Sequence, residues 1–321
     1  MRGGYTVAVV GAGLVGERLV AELKKREFPL SELRVLARSA RRAVLAGETF
    51  KVGVAEPEAF EGVDYALFAG TEGEKGAAAQ LAREAVSQGA VVIDNGSDFR
   101  LDPQVPLVVP EVNAEALDQH NGIIANPNCS TIQMVVTLAP LVREFGIKKV
   151  VVSTYQAVSG AGRSGVEALE NGREEAFPKP IVGNAIPLIG GVGEDGYTTE
   201  ERKLREESRK ILSLPDLPVF ATAVRIPVHT GHAESVHVET EREASLLEVL
   251  EVLSEAPGVD FSGDPADFPT PLEAAGERGV RVGRLRVEGS SIGYWCVADN
   301  LLKGAATNAV QIAGALVGAR V

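Results

Sequence analysis

Short apolar runs alternate with amphipathic stretches along the first part of the chain. The run Tyr5–Val10 predicts a strand, and the residues that follow it as far as Arg26 have the apolar spacing of a helix. Further strands are predicted at 33–37, 65–69 and 90–94, and an alanine-rich helix is predicted at 75–88. This βαβ-like alternation predicts an α/β domain with parallel strands.

The pattern changes after a long apolar helix that is predicted from Cys129 to Phe145, with Pro140 kinking or restarting it. Further strands are predicted at 148–156, 219–228, 235–240, 280–288 and 292–298, and a charged helix at 198–212. These elements predict a second, α+β domain with its own mixed or antiparallel sheet. The segment 300–317 predicts an apolar-faced helix that returns to pack on the first domain. We therefore predict one domain at 1–128 with a C-terminal helix at 300–321, and another at 129–299.

Composition narrows the possible functions. The chain has 321 residues, of which 45% are hydrophobic, which is enough for two domains with substantial cores. A formal charge of -12 argues against a nucleic-acid or anionic-membrane partner. The absence of a long apolar run and of a signal-peptide pattern predicts a cytoplasmic protein. Two cysteines without a CxxC spacing predict neither a metal site nor a disulfide.

A glycine pattern, Gly11-Ala12-Gly13-Leu14-Val15-Gly16, lies between the first predicted strand and the first predicted helix. In such a pattern the first glycine allows a tight turn, the second lets a pyrophosphate approach, and the third lets the helix pack closely. Its position predicts a Rossmann-type dinucleotide-binding domain, with a merely tight turn as the alternative. The cofactor-binding candidates are Gly11, Gly13, Leu14, Val15 and Gly16.

The end of the second predicted strand favours one cofactor. An NAD enzyme commonly has an acidic residue there, whereas this chain has Arg38-Ser39-Ala40-Arg41-Arg42. Arg38 and Ser39 could bind a 2′-phosphate, which favours NADP(H). A solvated basic loop is the alternative.

Cys129 is predicted at the first turn of the long apolar helix. The helix dipole and the unpaired N–H groups of a first turn favour thiolate over thiol, which activates a nucleophile. The same N–H groups could hold the oxyanion that forms when sulfur attacks a carbonyl. A buried structural cysteine is the alternative.

Several polar residues are candidates to act with this cysteine. His232 follows a predicted turn and lies seven residues after Arg225, so an imidazole could move a proton beside a guanidinium that binds a carboxylate. Gln156 ends a predicted strand, and a satisfied polar residue is the alternative there. Glu200 and Lys203 share a helix face and could contact a charged substrate, although a charged helix is ordinarily solvated. Arg100, which follows a strand end, is a candidate anion clamp.

The chain resembles the aspartate-semialdehyde dehydrogenase family over nearly its whole length. The resemblance is carried by five blocks in order: Val108-Val109-Pro110-Glu111-Val112-Asn113, Asn126-Pro127-Asn128-Cys129-Ser130-Thr131-Ile132-Gln133, Ser153-Thr154-Tyr155-Gln156-Ala157-Val158-Ser159-Gly160-Ala161-Gly162, Arg225-Ile226-Pro227-Val228, and Asp299-Asn300-Leu301-Leu302-Lys303-Gly304-Ala305-Ala306. The resemblance implies reversible, NADPH-dependent reductive dephosphorylation of aspartyl phosphate to aspartate semialdehyde and phosphate, in lysine, methionine and threonine biosynthesis. It also implies a homodimer.

The resemblance implies a role for each matching residue. By position, the catalytic residues would be Cys129 as nucleophile, Gln156 as orienting group and His232 as acid/base. Arg225 would bind the substrate carboxylate and Glu200 its amino group, while the phosphate would lie among Arg100, Asn128 and Lys203. Besides the glycine turn, Arg38 and Ser39, the cofactor contacts would be Ser159, Gly160 and Asn300.

The chain departs from the family pattern in three places. Gly13 stands where a GATGxVG motif has threonine, and the segments before Arg38 and after Gly162 are shortened. Two other functions stay open. An N-acetyl-glutamyl-phosphate reductase would usually follow its nucleophile with Tyr-Pro, whereas Ser130-Thr131 stands here. A non-catalytic dinucleotide-binding paralogue would be expected to lack the nucleophile.

Overall fold

The computed structural model describes residues 4–70, 76–172 and 176–318. The chain divides into two compact units, Met1–Pro127 with Ala305–Val321, and Asn128–Gly304. The ends of the predicted first domain, at 1–3 and 319–321, and the predicted helix start at Lys75 lie outside the described residues. Within the described ranges, none of the helices combines the length and apolarity that crossing a bilayer requires.

The first unit contains one mostly parallel sheet. Its described strands are, in chain order, β1 (Tyr5–Val10), β2 (Leu30–Ala37), β3 (Arg41–Leu45), β4 (Glu48–Val54), β5 (Tyr65–Phe68), β6 (Val91–Asp94) and β7 (Ile123–Ala125). They are arranged β3-β4-β2-β1-β5-β6-β7, and only the β3–β4 pair is antiparallel. The predicted Rossmann-type α/β architecture is confirmed.

The second unit contains a mixed sheet, as predicted. Its described strands are β8 (Ile147–Gln156), β9 (Val219–Arg225), β10 (His232–Thr240), β11 (Val259–Phe261), β12 (Val280–Glu288) and β13 (Ser291–Ala298). They are arranged β11-β12-β13-β10-β8-β9. The β8–β9 and β11–β12 pairs are parallel, and the other pairs are antiparallel.

The described α-helices occupy both units. In chain order they are α1 (Leu14–Lys25), α2 (Ala77–Ser87), α3 (Pro110–Asn113), α4 (Cys129–Phe145), α5 (Gly162–Asn171), α6 (Thr199–Ile211), α7 (Leu246–Ser254), α8 (Pro271–Ala274) and α9 (Thr307–Leu316). In the first unit, Leu19 and Leu23 of α1 join Val310 of α9 in one buried core. The Thr307 hydroxyl also donates to the buried Glu22 carboxylate at 3.0 Å. The C-terminal helix thus packs on the first unit, as the sequence predicts.

Three local predictions are corrected, and one alternative is excluded. Arg41 starts the edge strand β3 rather than lying in a basic loop. Of the two alternatives at Pro140, the restart is excluded because α4 continues through it as one helix, and the kink stays a prediction. The C-terminal segment is not one α-helix, because a π-helical turn at Leu302–Ala306 precedes α9. β10 begins at His232, three residues before the start of the predicted strand at 235–240.

Candidate active site

The glycine turn of the first unit connects β1 to α1, whose first turn includes Leu14 and Val15. Gly11 has φ +115°, in the region that favours glycine. A Cβ on Gly16 would lie 1.8 Å from the Gly11 carbonyl oxygen, so the helix can approach the turn only with glycine there. Gly13 supplies no side-chain cap to α1, and a Cβ on it would meet nothing within 4 Å among the described residues. The turn therefore presents an open helix N-terminus that suits a pyrophosphate.

Arg38 and Ser39 lie beside this turn. The Gly11 N–H donates to the Leu36 carbonyl at 2.8 Å, which brings the ends of β1 and β2 together. Arg38 and Ser39 follow β2 directly and are exposed. Arg41 donates to the Ser39 carbonyl at 3.3 Å and lies on β3. The predicted 2′-phosphate contacts are thus at the carboxyl edge of the sheet, where open parallel sheets bind ligands.

Arg100 is buried in the first unit. Its Nε donates to the Asn126 carbonyl at 3.0 Å, and its Nη2 donates to the Asn95 carbonyl at 2.7 Å. Asn95 follows β6 and Asn126 follows β7, so the guanidinium is held by the turns after two adjacent parallel strands. The predicted anion clamp is therefore rigidly placed, and its role stays a prediction.

Cys129 is the first residue of α4, as predicted, and Asn128 is the N-cap. The Asn128 Oδ1 accepts from the N–H groups of Ser130 at 3.0 Å and Thr131 at 3.2 Å, and its carbonyl accepts from Ile132 at 2.9 Å. This cap stabilises the helix start by about 1 kcal/mol. The expectation that the unpaired N–H groups of this turn would hold an oxyanion is wrong for Ser130 and Thr131, because the cap accepts from both.

Three predicted residues lie in one row across the sheet of the second unit. Gln156 is the register partner of Arg225 between β8 and β9. The register between β8 and β10 pairs Tyr155 with Ala233, and one further step places His232 beside Gln156. Their side chains are all buried. We call Gln156, Arg225 and His232 the site row.

α4 crosses the same face of the sheet and brings Cys129 to this row. Thr137 Oγ1 lies 2.8 Å from the Tyr294 hydroxyl. One helical turn earlier, Gln133 neighbours Glu234, which lies two residues after His232 on β10. Burial raises the pKa of Glu234 well above its ordinary value, and the contact with Gln133 lowers it. Cys129 lies one turn earlier again, and its charge acts on the guanidinium of the site row. The helix thus aligns the cysteine with the row by its own periodicity.

The environment of His232 determines which nitrogen carries the proton. Its Nδ1 accepts from the Ala157 N–H at 3.0 Å, so the neutral ring is protonated at Nε2. Burial and then the charge of Arg225 lower the pKa of His232 to about 3. Nε2 has no hydrogen-bond partner among the described residues and faces Gly160, where a Cβ would lie 3.1 Å away. At neutral pH the imidazole is therefore uncharged and presents one N–H donor.

Arg225 is held by the same residue, Ala157. Its Nη1 donates to the Ala157 carbonyl at 2.6 Å, and its guanidinium lies 5.9 Å from the centre of the Phe177 ring. Burial lowers the pKa of Arg225, while the charges of Glu200 and Cys129 raise it. Since arginine stays protonated in proteins, the site row keeps a positive charge beside the cysteine.

Glu200 connects α6 to the site. Its Oε1 accepts from Asn128 Nδ2 at 2.9 Å and from Gln156 Nε2 at 3.2 Å. Its Oε2 lies 3.7 Å from the Lys203 ammonium, one helical turn away. The structure thus brings Glu200, Lys203, Asn128 and Gln156 together in the second unit.

The expectation that a charged helix is exposed to solvent is wrong for one side of α6. Glu200, Glu201 and Glu207 are all buried. Glu201 accepts from the Ala223 N–H at 3.0 Å, and Glu207 accepts from the Asn128 N–H at 2.7 Å. Sequence reasoning missed Glu207; the signal that could have found it is its spacing of seven residues from Glu200, which places both on one helix face.

The remaining cofactor candidates of the second unit form a hydrogen-bonded group. Asn300 Oδ1 accepts from the Gly231 N–H at 2.9 Å, and Asn300 Nδ2 donates to Ser159 Oγ at 3.0 Å. Gly160 follows Ser159 and faces the imidazole and guanidinium of the site row. Asn300 therefore joins the residue before His232 to the 3-10 helical turn Val158–Ala161, which carries Gly160.

The other three histidines are more exposed than His232. His229 and His237 are exposed, and His120 is half-buried. His229 Nδ1 lies 3.9 Å from a Glu170 carboxylate oxygen. The described part of the chain contains no group of three or more side chains that could hold a metal ion.

Comparison with known proteins identifies the family. The model of the "Semialdehyde dehydrogenase, NAD binding domain" family matches residues 6–120, and that of the "Semialdehyde dehydrogenase, dimerisation domain" family matches residues 138–303. The aspartate-semialdehyde dehydrogenase of Bacillus subtilis is 47% identical, over 98% of this chain and 97% of that protein.

Solved structures agree with this match. Aspartate semialdehyde dehydrogenase II of Vibrio cholerae, complexed with ASA, has a TM-score of 0.92 and 43% identity over 99% of each chain. The Candida albicans enzyme with NADP has a TM-score of 0.76 and 25% identity over 98% of each chain. The chain therefore belongs to the aspartate-semialdehyde dehydrogenase family.

Proposed function

We propose that the chain catalyses the reversible reductive dephosphorylation of L-aspartyl 4-phosphate to L-aspartate 4-semialdehyde, with NADPH as cofactor and Cys129 as nucleophile. The observation that carries this proposal is the position of Cys129, which begins α4 over a row that contains Gln156, Arg225 and His232. A cysteine at a helix start beside a guanidinium has the environment that activates a thiolate.

In the first step the Cys129 sulfur bonds to the acyl carbon and the bond from that carbon to the phosphate oxygen breaks. The product is a thioester on Cys129, and the covalent route replaces one difficult displacement with two easier ones. The helix dipole of α4 and the charge of Arg225 favour the attacking thiolate. Gln156 orients the carbonyl group, and Arg100, Asn128 and Lys203 bind the phosphate. Asn128 already caps α4 and donates to Glu200, so any contact with phosphate must share one of these hydrogen bonds.

In the second step the thioester becomes a thiohemiacetal, which collapses to aldehyde with return of the electron pair to Cys129. Bound NADPH supplies the hydride for this step. We assign the acid/base position to His232, whose Nε2–H has no partner among the described residues and donates a hydrogen bond to the thiohemiacetal oxygen. This bond stabilises the negative charge that hydride addition places on the oxygen, and the charge is removed when the C–S bond breaks, so the neutral ring does not have to ionise. In the reverse direction Cys129 attacks the aldehyde.

The substrate is recognised by its charges. Arg225 binds the α-carboxylate, for which its Nε, without a partner among the described residues, is available. Glu200 binds the amino group, and its Oε2 is the oxygen directed away from the amides of Asn128 and Gln156. An acetylated amine would offer Glu200 no positive charge, which disfavours an N-acetyl-glutamyl-phosphate reductase.

The first unit fits the cofactor. The open N-terminus of α1 at Gly13 accepts the pyrophosphate, and Arg38 with Ser39 binds the 2′-phosphate. In the second unit Ser159, Gly160 and Asn300 contact the cofactor. The family model for residues 138–303 is named a dimerisation domain, which supports a homodimer. A cytoplasmic location stays a prediction from the sequence.

The deciding experiment measures phosphate-dependent reduction of NADP, and separately of NAD, by the purified protein with aspartate semialdehyde or N-acetylglutamate semialdehyde. We expect turnover with aspartate semialdehyde and NADP. Turnover only with the acetylated aldehyde would overturn the substrate and the role of Glu200. A folded protein that binds NADPH but turns over neither aldehyde would favour a non-catalytic function.

A substitution tests the covalent route separately. Cys129→Ala should abolish turnover and leave NADPH binding nearly unchanged, because the cysteine is proposed to react rather than to bind. Substantial turnover by this variant would exclude the thioester.

A further inference from the structure

The peptide before Cys129 is held by a carboxylate that the proposed reaction does not use. The Asn128 N–H donates to Glu207 Oε2 at 2.7 Å, and Glu207 is 1% exposed. A hydrogen bond to an ionisable carboxyl group is among the stronger kinds, and an unpaired buried N–H is costly. The contact therefore ties the start of α4 to the middle of α6.

Asn128 is engaged at each of its polar groups. Its side chain caps α4 through Oδ1 and donates to Glu200 through Nδ2, and its carbonyl accepts from Ile132. The cap and the Ile132 bond are internal to α4, so they cannot place the helix relative to the site row. The two carboxylates of α6, Glu200 and Glu207, supply that constraint, because α6 packs against β9 and its Leu204 and Ile211 side chains are buried.

We propose that Glu207 is a positioning residue, which holds the Asn128 peptide and thereby keeps the Cys129 sulfur aligned with the site row. This inference rests on the proposed function of Cys129. Glu200 is itself proposed to bind substrate, so its substitution cannot separate positioning from binding. Glu207 can be substituted without removing a proposed substrate contact.

Two variants of similar size separate the hydrogen bond from packing. Glu207→Gln keeps an oxygen that can accept from the Asn128 N–H, whereas Glu207→Met fills the site without an acceptor. Glu201→Ala is the matched control, since Glu201 is buried on the same helix and accepts from the Ala223 and Thr198 N–H groups. If Glu207→Met does not fold, Glu207→Ala takes its place in the same comparison.

We expect Glu207→Met to lower kcat by about 10²-fold, the effect of misplacing a reacting group by about 1 Å, with a smaller change in KM. Alkylation of the native protein by iodoacetamide should slow in parallel; this reaction reports Cys129 because Cys296 is 0% exposed. Glu207→Gln should retain most of both rates. Glu201→Ala should lower the melting temperature without slowing alkylation of the folded protein.

Equal kcat and alkylation rates in Glu207→Met and Glu201→Ala would overturn the positioning role. A Glu207→Gln variant as impaired as Glu207→Met would also overturn it, because the acceptor would then not be the relevant feature. The Cys129→Ala variant separates the two hypotheses. If it retains turnover the proposed role of Cys129 fails and the present inference fails with it, whereas if it is inactive while Glu207→Met is unimpaired only the present inference fails.

Discussion

Replacing Gly304 with alanine should slow turnover by displacing the proposed nucleophile. Gly304 lies in the π-helical turn at Leu302–Ala306 and packs directly on Cys129. A Cβ on Gly304 would lie 2.7 Å from the Cys129 Cβ and 3.2 Å from its Cα. The obstacle is the first residue of a capped, buried helix and not the far end of a flexible side chain, so it cannot move aside at low cost.

The size of the effect follows from these distances. Ordinary contact begins at 3.4 Å, so the 2.7 Å approach requires a displacement of about 0.7 Å. At about 10²-fold per 1 Å of misplacement, the expected loss of kcat is on the order of 25-fold, or about 2 kcal/mol of activation free energy. Crowding of this kind also lowers the free energy of unfolding by about 1 to 3 kcal/mol.

The assay is kcat for phosphate-dependent oxidation of aspartate semialdehyde with NADP, with iodoacetamide alkylation of Cys129 as a second measurement. Gly263→Ala is the control, because a Cβ there would meet its nearest neighbour, the Leu250 side chain, at an ordinary 3.6 Å. If Gly304→Ala matches Gly263→Ala in both rates while remaining folded, the packing of the π-helical turn does not place the nucleophile.

Three further outcomes are expected. Gly160→Ala should raise KM for aspartate semialdehyde and lower kcat, because its Cβ would lie 2.7 Å from Arg225 Nη1 and 3.1 Å from His232 Nε2; unchanged steady-state kinetics would contradict this. Burial raises the folded pKa of Glu234 above its unfolded value, so its stabilising contribution is complete below the unfolded pKa and is lost as pH rises toward the folded pKa. The melting temperature of Glu234→Gln should therefore rise relative to the unsubstituted protein between acidic and alkaline pH, and a constant difference would refute the buried neutral acid. Thr198→Ala removes the capping box of α6 and should cost about 1 kcal/mol in urea denaturation, whereas an unchanged midpoint would show that the cap is dispensable.

The sequence predicts those features whose causes are local. The position of Cys129 at a helix start follows from a capping residue before an apolar helical pattern, and both lie within one short segment. The glycine turn is predicted because Gly11 and Gly16 are sterically required by the strand-turn-helix connection, while Gly13 leaves the helix start open. The edge strand β3 is missed because an edge needs little apolar surface, and its outer positions Arg41 and Arg42 are exposed.

The features that the sequence does not predict depend on partners far along the chain. Glu207 looks solvated in a charged helix, but its partner is a backbone N–H that lies 79 positions away. The protonation of His232 depends on the Ala157 N–H, 75 positions away, and on the charge of Arg225. The spacing of Glu207 from Glu200 marks a shared helix face but not the partner of Glu207, because a backbone donor can be supplied by any residue type except proline.

The alignment of the proposed nucleophile with its partners follows from two nearly equal repeat lengths. Four helical residues advance about 6 Å, and two strand residues advance about 6.7 Å. Cys129, Gln133 and Thr137 can therefore lie over three successive rows of the sheet, from the charged site row to the Tyr294 hydroxyl. Two sets of contacts fix α4 on the sheet: the Thr137–Tyr294 contact in the middle of the helix, and the carboxylates of α6 at its N-terminus. A change in either set should therefore alter the distance between the cysteine and the site row. Thr137, Tyr294 and Glu207 thus help to hold the sulfur in place, even though they contact no reacting atom.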